Sequence, residues 1–135
     1  MPRVYSLLFV CLLCVSFWGS TAQAGNTQQV IQAAEAAYYK GNYAEQYRLL
    51  GSIMQSSPEA EWRMGDMHER GLGRPKNNLL AFQSYAHAWV RGYSPGGNAL
   101  DARRVYSYLS GSDKNAANNF INQIRQRYGK TVPVK

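Results

Sequence analysis

The chain has 135 residues, with 15 Lys and Arg against 8 Asp and Glu for a net charge of +7, and 45% of its residues are apolar. That length supports one small domain, and 17% charged with 13% aromatic residues argue for a packed core rather than disorder. Collagen, coiled-coil and mucin classes are excluded by the same composition.

Residues 1–24 carry a positive charge at Arg3, an apolar run from Val4 to Trp18, then Gly19, Ser20 and Ala22-Gln23-Ala24. This layout predicts a cleavable secretory signal, with the small side chains of Ala22 and Ala24 fitting a peptidase cleft and cleavage after Ala24. The run is shorter than the roughly 20 residues that a retained span needs, so no stable membrane span is expected after removal. Both cysteines, Cys11 and Cys14, lie in this leader, so the 111 residues that follow hold no disulfide. Neither cysteine follows a small residue, which excludes a lipoprotein anchor, and neither has a Cys/His set for zinc. The expected location is periplasmic or secreted, with no cofactor. Loss of Arg3 lowers the net charge to +6. That excess suits either simple solubility or an acidic partner: a protein face, phospholipid headgroups or an envelope polymer. No nucleic-acid motif is present.

Beyond Gly25 the apolar spacing is helical and no stretch alternates with period two, which predicts an all-α domain over 25–129. Asn26 or Thr27 is expected to cap a first helix carrying Val30, Ile31, Ala34, Ala37 and Tyr38, with Gly41 at its end. The second begins at Asn42 and presents Tyr43, Ala44, Tyr47, Leu50 and Met54. Ser57-Pro58-Glu59 reads as cap, first-turn proline and dipole-matched acid, opening a third helix from Pro58 to Arg70 with Ala60, Met64, Met67 and His68 on one side. Gly71-Leu72-Gly73 stops it. After Arg74-Pro75-Lys76, a fourth helix from Asn78 to Arg91 turns Ala81, Phe82, Tyr85, Ala88 and Trp89 inward, and Gly92 terminates it. A fifth is predicted from Asn98 to Leu109, with Leu100, Val105, Tyr108 and Leu109 packing. Asp113 is expected to cap a sixth that carries Ala116, Ala117, Phe120, Ile121 and Ile124 and ends near Gly129. Residues 130–135 have no packing signal and read as a loose tail. The short connections make successive helices antiparallel neighbours, a short α/α-hairpin solenoid of about six helices.

The stretch from Ala60 to Gly92, AEWRMGDMHERGLGRPKNNLLAFQSYAHAWVRG, resembles the Sel-1-like repeat, a relative of the tetratricopeptide repeat. The likeness rests on Ala60, Met64-Gly65, Gly71-Leu72-Gly73, Asn77, Ala81, Tyr85, Ala88 and Gly92. Tyr38-Tyr39-Lys40-Gly41-Asn42-Tyr43-Ala44 is similar to the half-repeat that precedes a first full repeat. His68 stands in a slot usually held by tyrosine, Ser84 where an aromatic is common, and Trp89 in place of a second alanine. The resemblance implies stacked helical hairpins that bind another protein or peptide, with the last two helices as a cap.

No catalytic set assembles from spacing. Asp66 and Glu69 lie two and one residues from His68, on other helix faces, so His68 reads as a packing residue. His87, one turn from the like-charged Arg91, reads as a surface histidine. Glu35, Glu45, Glu59, Glu61, Asp66 and Glu69 sit at helix starts and exposed faces where capping and solvation account for them. Gly71-x-Gly73-Arg74 lacks the rest of a phosphate loop. Nine tyrosines follow the leader, four of them around the first hairpin, with Tyr38 and Tyr47 expected inside and Tyr39 and Tyr43 exposed. The expected function is a non-enzymatic adaptor or regulator whose groove offers Tyr39, Tyr43, Trp62, Arg63, Arg70, Arg103 and Arg104 to a partner. The competing expectation is a small enzyme acting on cell-wall material through Glu35 or His68.

Overall fold

A computed structural model describes residues 15–97 and 99–134, with side chains placed from Gly25 onward. Residues 1–14 of the expected leader and residues 98 and 135 fall outside that description, as do the side chains of its cleavage positions Ala22 and Ala24. Six helices are present: α1 (Val15–Tyr39), α2 (Tyr43–Ile53), α3 (Pro58–Arg70), α4 (Asn78–Val90), α5 (Leu100–Ser107) and α6 (Gly111–Tyr128). No strand occurs among the described residues, so the fold is all-α.

The central hairpin shows why the chain turns where it does. Ser57 Oγ accepts the Ala60 N–H at 3.1 Å, while Pro58 supplies a preset first turn and Glu59 and Glu61 face the positive helix end. At the other end Gly71 adopts φ 70°, and the Leu72 N–H reaches back to the Met67 carbonyl at 2.9 Å, closing the last turn. Asn77 then caps α4 by accepting the Leu80 N–H at 2.9 Å.

Pair contacts give the topology. Glu35 and Tyr38 of α1 meet Arg63 and Arg70 of α3 in the same chain direction, as Trp62 and Glu69 of α3 meet Asp101 and Tyr108 of α5. α1, α3 and α5 are therefore parallel. α4 runs against α3, because Glu69 pairs with Tyr85 and Glu61 with His87. α6 lies along α4. Two apolar clusters fill the interior. One holds Ala34, Leu50, Ala60, Met64 and Met67 from α1 to α3; the other holds Phe82, Tyr85, Val90, Ala102, Val105, Ile121, Ile124 and their neighbours from α4 to α6.

Several local expectations are corrected. α1 passes straight through Asn26 and Thr27, so neither stands at a helix start. α5 starts at Leu100 because Ala99 takes φ 55°, a left-handed conformation that no helix continues, and its buried face is Ala99, Ala102, Val105 and Leu109. Leu100 and Tyr108, expected in the core, are 43% and 44% exposed. Ser110 rather than Asp113 caps α6, accepting the Asp113 N–H at 3.2 Å. The tail is docked: Val132 is 1% exposed within the second cluster, Val134 packs beside it, and Lys130 Nζ donates to the Val90 carbonyl at 2.7 Å.

Candidate interaction groove

A groove of ≈ 310 Å³ runs between α1 and α3, lined by Glu35, Tyr38, Tyr39, Gln46, Trp62, Arg63, Asp66 and Arg70. The helical period puts these residues together. Glu35, Tyr38 and Tyr39 lie on one face of α1, and Trp62, Arg63, Asp66 and Arg70 recur at three to four residues on the parallel face of α3. Four of the residues expected to meet a partner, Tyr39, Trp62, Arg63 and Arg70, converge here. Tyr39 is 84% exposed at the rim.

The other three do not line it. Tyr43 is half-buried against the first apolar cluster, not exposed, because the turn at Gly73 presses on its backbone: a Cβ at Gly73 would stand 2.9 Å from the Tyr43 carbonyl. Arg104 is bound to Glu69, Asp101 and Tyr108. Arg103 is exposed on α5 and makes no ion pair among the described residues. Tyr38 and Tyr47, expected inside, are half-buried; Tyr38 forms a groove wall and Tyr47 lies under the Arg74 guanidinium, 4.2 Å from its ring centroid.

Every charge in the groove is answered by its neighbour. Arg63 donates to Glu35 at 2.6 Å and to Glu59 at 2.8 Å, and Arg70 donates to Asp66 at 3.1 Å and to the Tyr38 hydroxyl. Trp62 donates its indole N–H to Asp101 at 2.8 Å and packs on Tyr85 and Tyr93. Among the groove's uncharged polar groups, Gln46, only 6% exposed, stands out: its amide oxygen has no donor. Sequence reasoning missed this residue. Its place three residues after Tyr43 and four before Leu50, on the inward face of α2, was the available signal.

Two polar networks brace the groove from behind. The Glu69 carboxylate accepts from Arg104, from Tyr108 and, at 2.9 Å, from Tyr85. Burial alone pushes this carboxyl up, but the three donors and the Arg104 charge outweigh it and hold the group down at about 2. The same contacts push the Tyr108 hydroxyl up to about 12, burial first and Glu69 second. In the second network Glu61, 7% exposed, receives Arg91 at 2.8 Å and His87 Nδ1 at 2.5 Å, and His87 Nε2 meets the Tyr128 hydroxyl at 2.6 Å. His87 is thus not a free surface histidine, and Glu61 and Glu69 are not solvated helix-face carboxylates. The partners lie 16 to 41 residues apart, beyond any spacing rule. This chain of groups borders an open cleft of ≈ 290 Å³ shared with Ser84, Phe120 and Arg127.

His68 is buried and its ring meets Tyr47 edge-on at 5.7 Å, as a packing residue would. Burial, and then the Arg74 charge, push its protonation down, so it is neutral at neutral pH. Among the described residues no cluster of His, Cys, Asp and Glu could hold a metal ion, and no helix is long and apolar enough to cross a membrane.

Comparison with known proteins gives no match: no family model, no curated protein and no solved structure matches this chain.

Proposed function

We propose that this chain is an exported helical-repeat protein of the Sel-1-like kind, which binds a segment of another protein in the α1–α3 groove and acts as an adaptor or regulator without chemistry of its own. The groove itself carries this reading: an exposed tyrosine, a tryptophan, two arginines and an unanswered buried amide oxygen converge on one face of parallel helices. Aromatic and arginine side chains of this kind give large contact area and directed hydrogen bonds, and a peptide N–H would satisfy Gln46. Two further features favour a repeat hairpin. A Cβ at Gly65 would stand 2.8 Å from the Tyr85 ring, and the Gly71–Gly73 turn takes positive φ at both glycines. Ala60, Ala81 and Ala88 are fully buried where α3 and α4 approach.

The test is capture from cell envelopes by the tagged protein and by its Tyr39→Ala and Arg63→Ala variants, with Gln126→Ala, on α6 away from the groove, as control. One stoichiometric partner, retained by the control and lost at least tenfold by the groove variants, is expected. Equal capture by all four proteins would sink the groove reading. Export is checked separately by the mature N-terminus, expected at Gly25. A second reading, a small enzyme of the cell envelope, draws on the Glu61–His87–Tyr128 chain beside its cleft. It replaces the first if His87→Gln abolishes a cell-wall activity while leaving the fold intact.

A further inference from the structure

We propose that one end of the molecule, made by the α1–α2 turn, the α3–α4 loop and the start of α6, docks on an anionic lipid surface. This end shares Tyr39 with the groove rim, but its cations Lys40, Arg74 and Lys76 lie outside the groove, and the inference goes beyond the adaptor reading. Seven of the eight carboxylates are held in ion pairs with arginine or histidine of this chain. The basic excess therefore sits on cations that no carboxylate holds, and Lys40, Arg74 and Lys76, all exposed, gather at this end.

Contacts join the pieces. Gly73 abuts the backbone of Tyr43, Arg74 lies over the Tyr47 ring, and Arg70 donates to Tyr38, which packs on Tyr39 with ring centroids 5.5 Å apart. Lys114, in the first turn of α6, adds a fourth cation beside the Tyr106 ring. The carboxylates nearest this end are already matched: Glu45 by Arg48, Asp66 by Arg70 and Glu69 by Arg104. Asp113, at the α6 start, is the one acid here without an ion pair, so the end has a clear positive balance.

The exposed aromatic surface points the same way. Tyr39 and Tyr108, the two most exposed large apolar side chains among the described residues at 84% and 44%, stand at the C-terminal ends of the parallel helices α1 and α5. Tyrosine rings beside Lys and Arg on a convex end suit a lipid–water interface, where the ring settles at headgroup depth and the cations meet phosphate. The opposite end also carries cations, Arg125 and Arg127, but no comparably exposed tyrosine. That asymmetry gives the test its control.

The full-length protein is sedimented with vesicles of phosphatidylglycerol and, separately, of phosphatidylcholine, at low and at about 0.5 M salt, where surface charges are screened within about 5 Å. Retention on phosphatidylglycerol that falls with salt is expected, with little on phosphatidylcholine. Lys40→Glu with Arg74→Glu and Lys76→Glu should weaken it at least tenfold, whereas Arg125→Glu with Arg127→Glu changes it less than twofold. Tyr39→Ser should weaken it several-fold at both salts. If the triple variant does not fold, Lys40→Gln with Lys76→Gln, at two side chains that make no ion pair, carries the same comparison with a smaller expected loss. Equal retention on both lipids, or equal loss in the two charge-reversed proteins, overturns the proposal. So does absence of retention on phosphatidylglycerol, which would leave an acidic protein face as the match for this end.

Discussion

Gly65 and Tyr85 show how tightly one residue can constrain another in this fold. The Tyr85 ring lies against the bare Cα of Gly65 and its hydroxyl is fixed on Glu69, so the ring has no room to retreat. Gly65→Ala therefore overpacks the α3–α4 contact, and about 1–3 kcal/mol of stability should be lost in urea unfolding, despite the better helix propensity of alanine. A change below about 0.5 kcal/mol would show that the hairpin opens without strain. Glu69 itself sets an acid limit. Its native pKa, about 2, lies below its ordinary 4.5, so the stability it contributes is complete above pH 4.5 and is lost as pH falls towards 2. Allowing for the solvent that reaches Arg104, about 1–2 kcal/mol is at stake. His68 acts in the same direction at milder pH. Its native pKa is pushed below 6.5, so acid begins to charge the unfolded chain first and stability declines below about pH 6.5. Glu69→Gln should flatten the lower part of an unfolding-against-pH curve and leave the upper part; an unchanged curve would remove Glu69 from the account.

At the scale of elements, the C-terminal segment is the instructive case. Short, with a lysine at each end, residues 130–135 carry no helical or strand period, and their sequence predicts a loose end. Tertiary packing overrides that prediction: α4 and α6 run side by side, and the chain leaving Gly129 falls back across the end of α4, burying Val132 and placing Lys130 on the Val90 carbonyl. Truncation after Gly129 should therefore lower stability by about 2–3 kcal/mol, the loss of one fully buried valine, a partly buried one and a charge-assisted hydrogen bond. Thermal melts of the truncated and intact proteins check this, and coincident melts would mean that the tail contributes nothing. α5 makes the opposite point. Its apolar spacing alone does not say which face is inward, and the left-handed turn at Ala99 rotates the helix so that Ala102 and Val105, rather than Leu100 and Tyr108, meet Phe82 and its neighbours.

Across the whole molecule, the legible part of the sequence is what depends on neighbours along the chain. The helical period, the Ser57-Pro58-Glu59 start and the glycine stop at Gly71 are local choices between a residue and its own backbone, and each is realised. The same locality places Trp62, Arg63 and Arg70 on one face of α3, whereas the meeting of Tyr39 with them, and the separation of Tyr43, Arg103 and Arg104 from them, are set by how the helices stack. Arg104 was read as offered to a partner, and Glu61, Glu69 and His87 as solvated, since the contacts that fix them, Glu69 with Tyr85 and Arg104, Glu61 with His87 and His87 with Tyr128, span 16 to 41 residues and no periodicity carries that information. By itself, then, the sequence determined an all-α chain, the identity of its helices and the places where most of them begin and end. Only the tertiary structure decided which carboxylate holds which arginine, which face of α5 is buried and where the last residues lie. Those are outcomes of desolvation and close packing between distant segments, and they exist only once the helices are stacked.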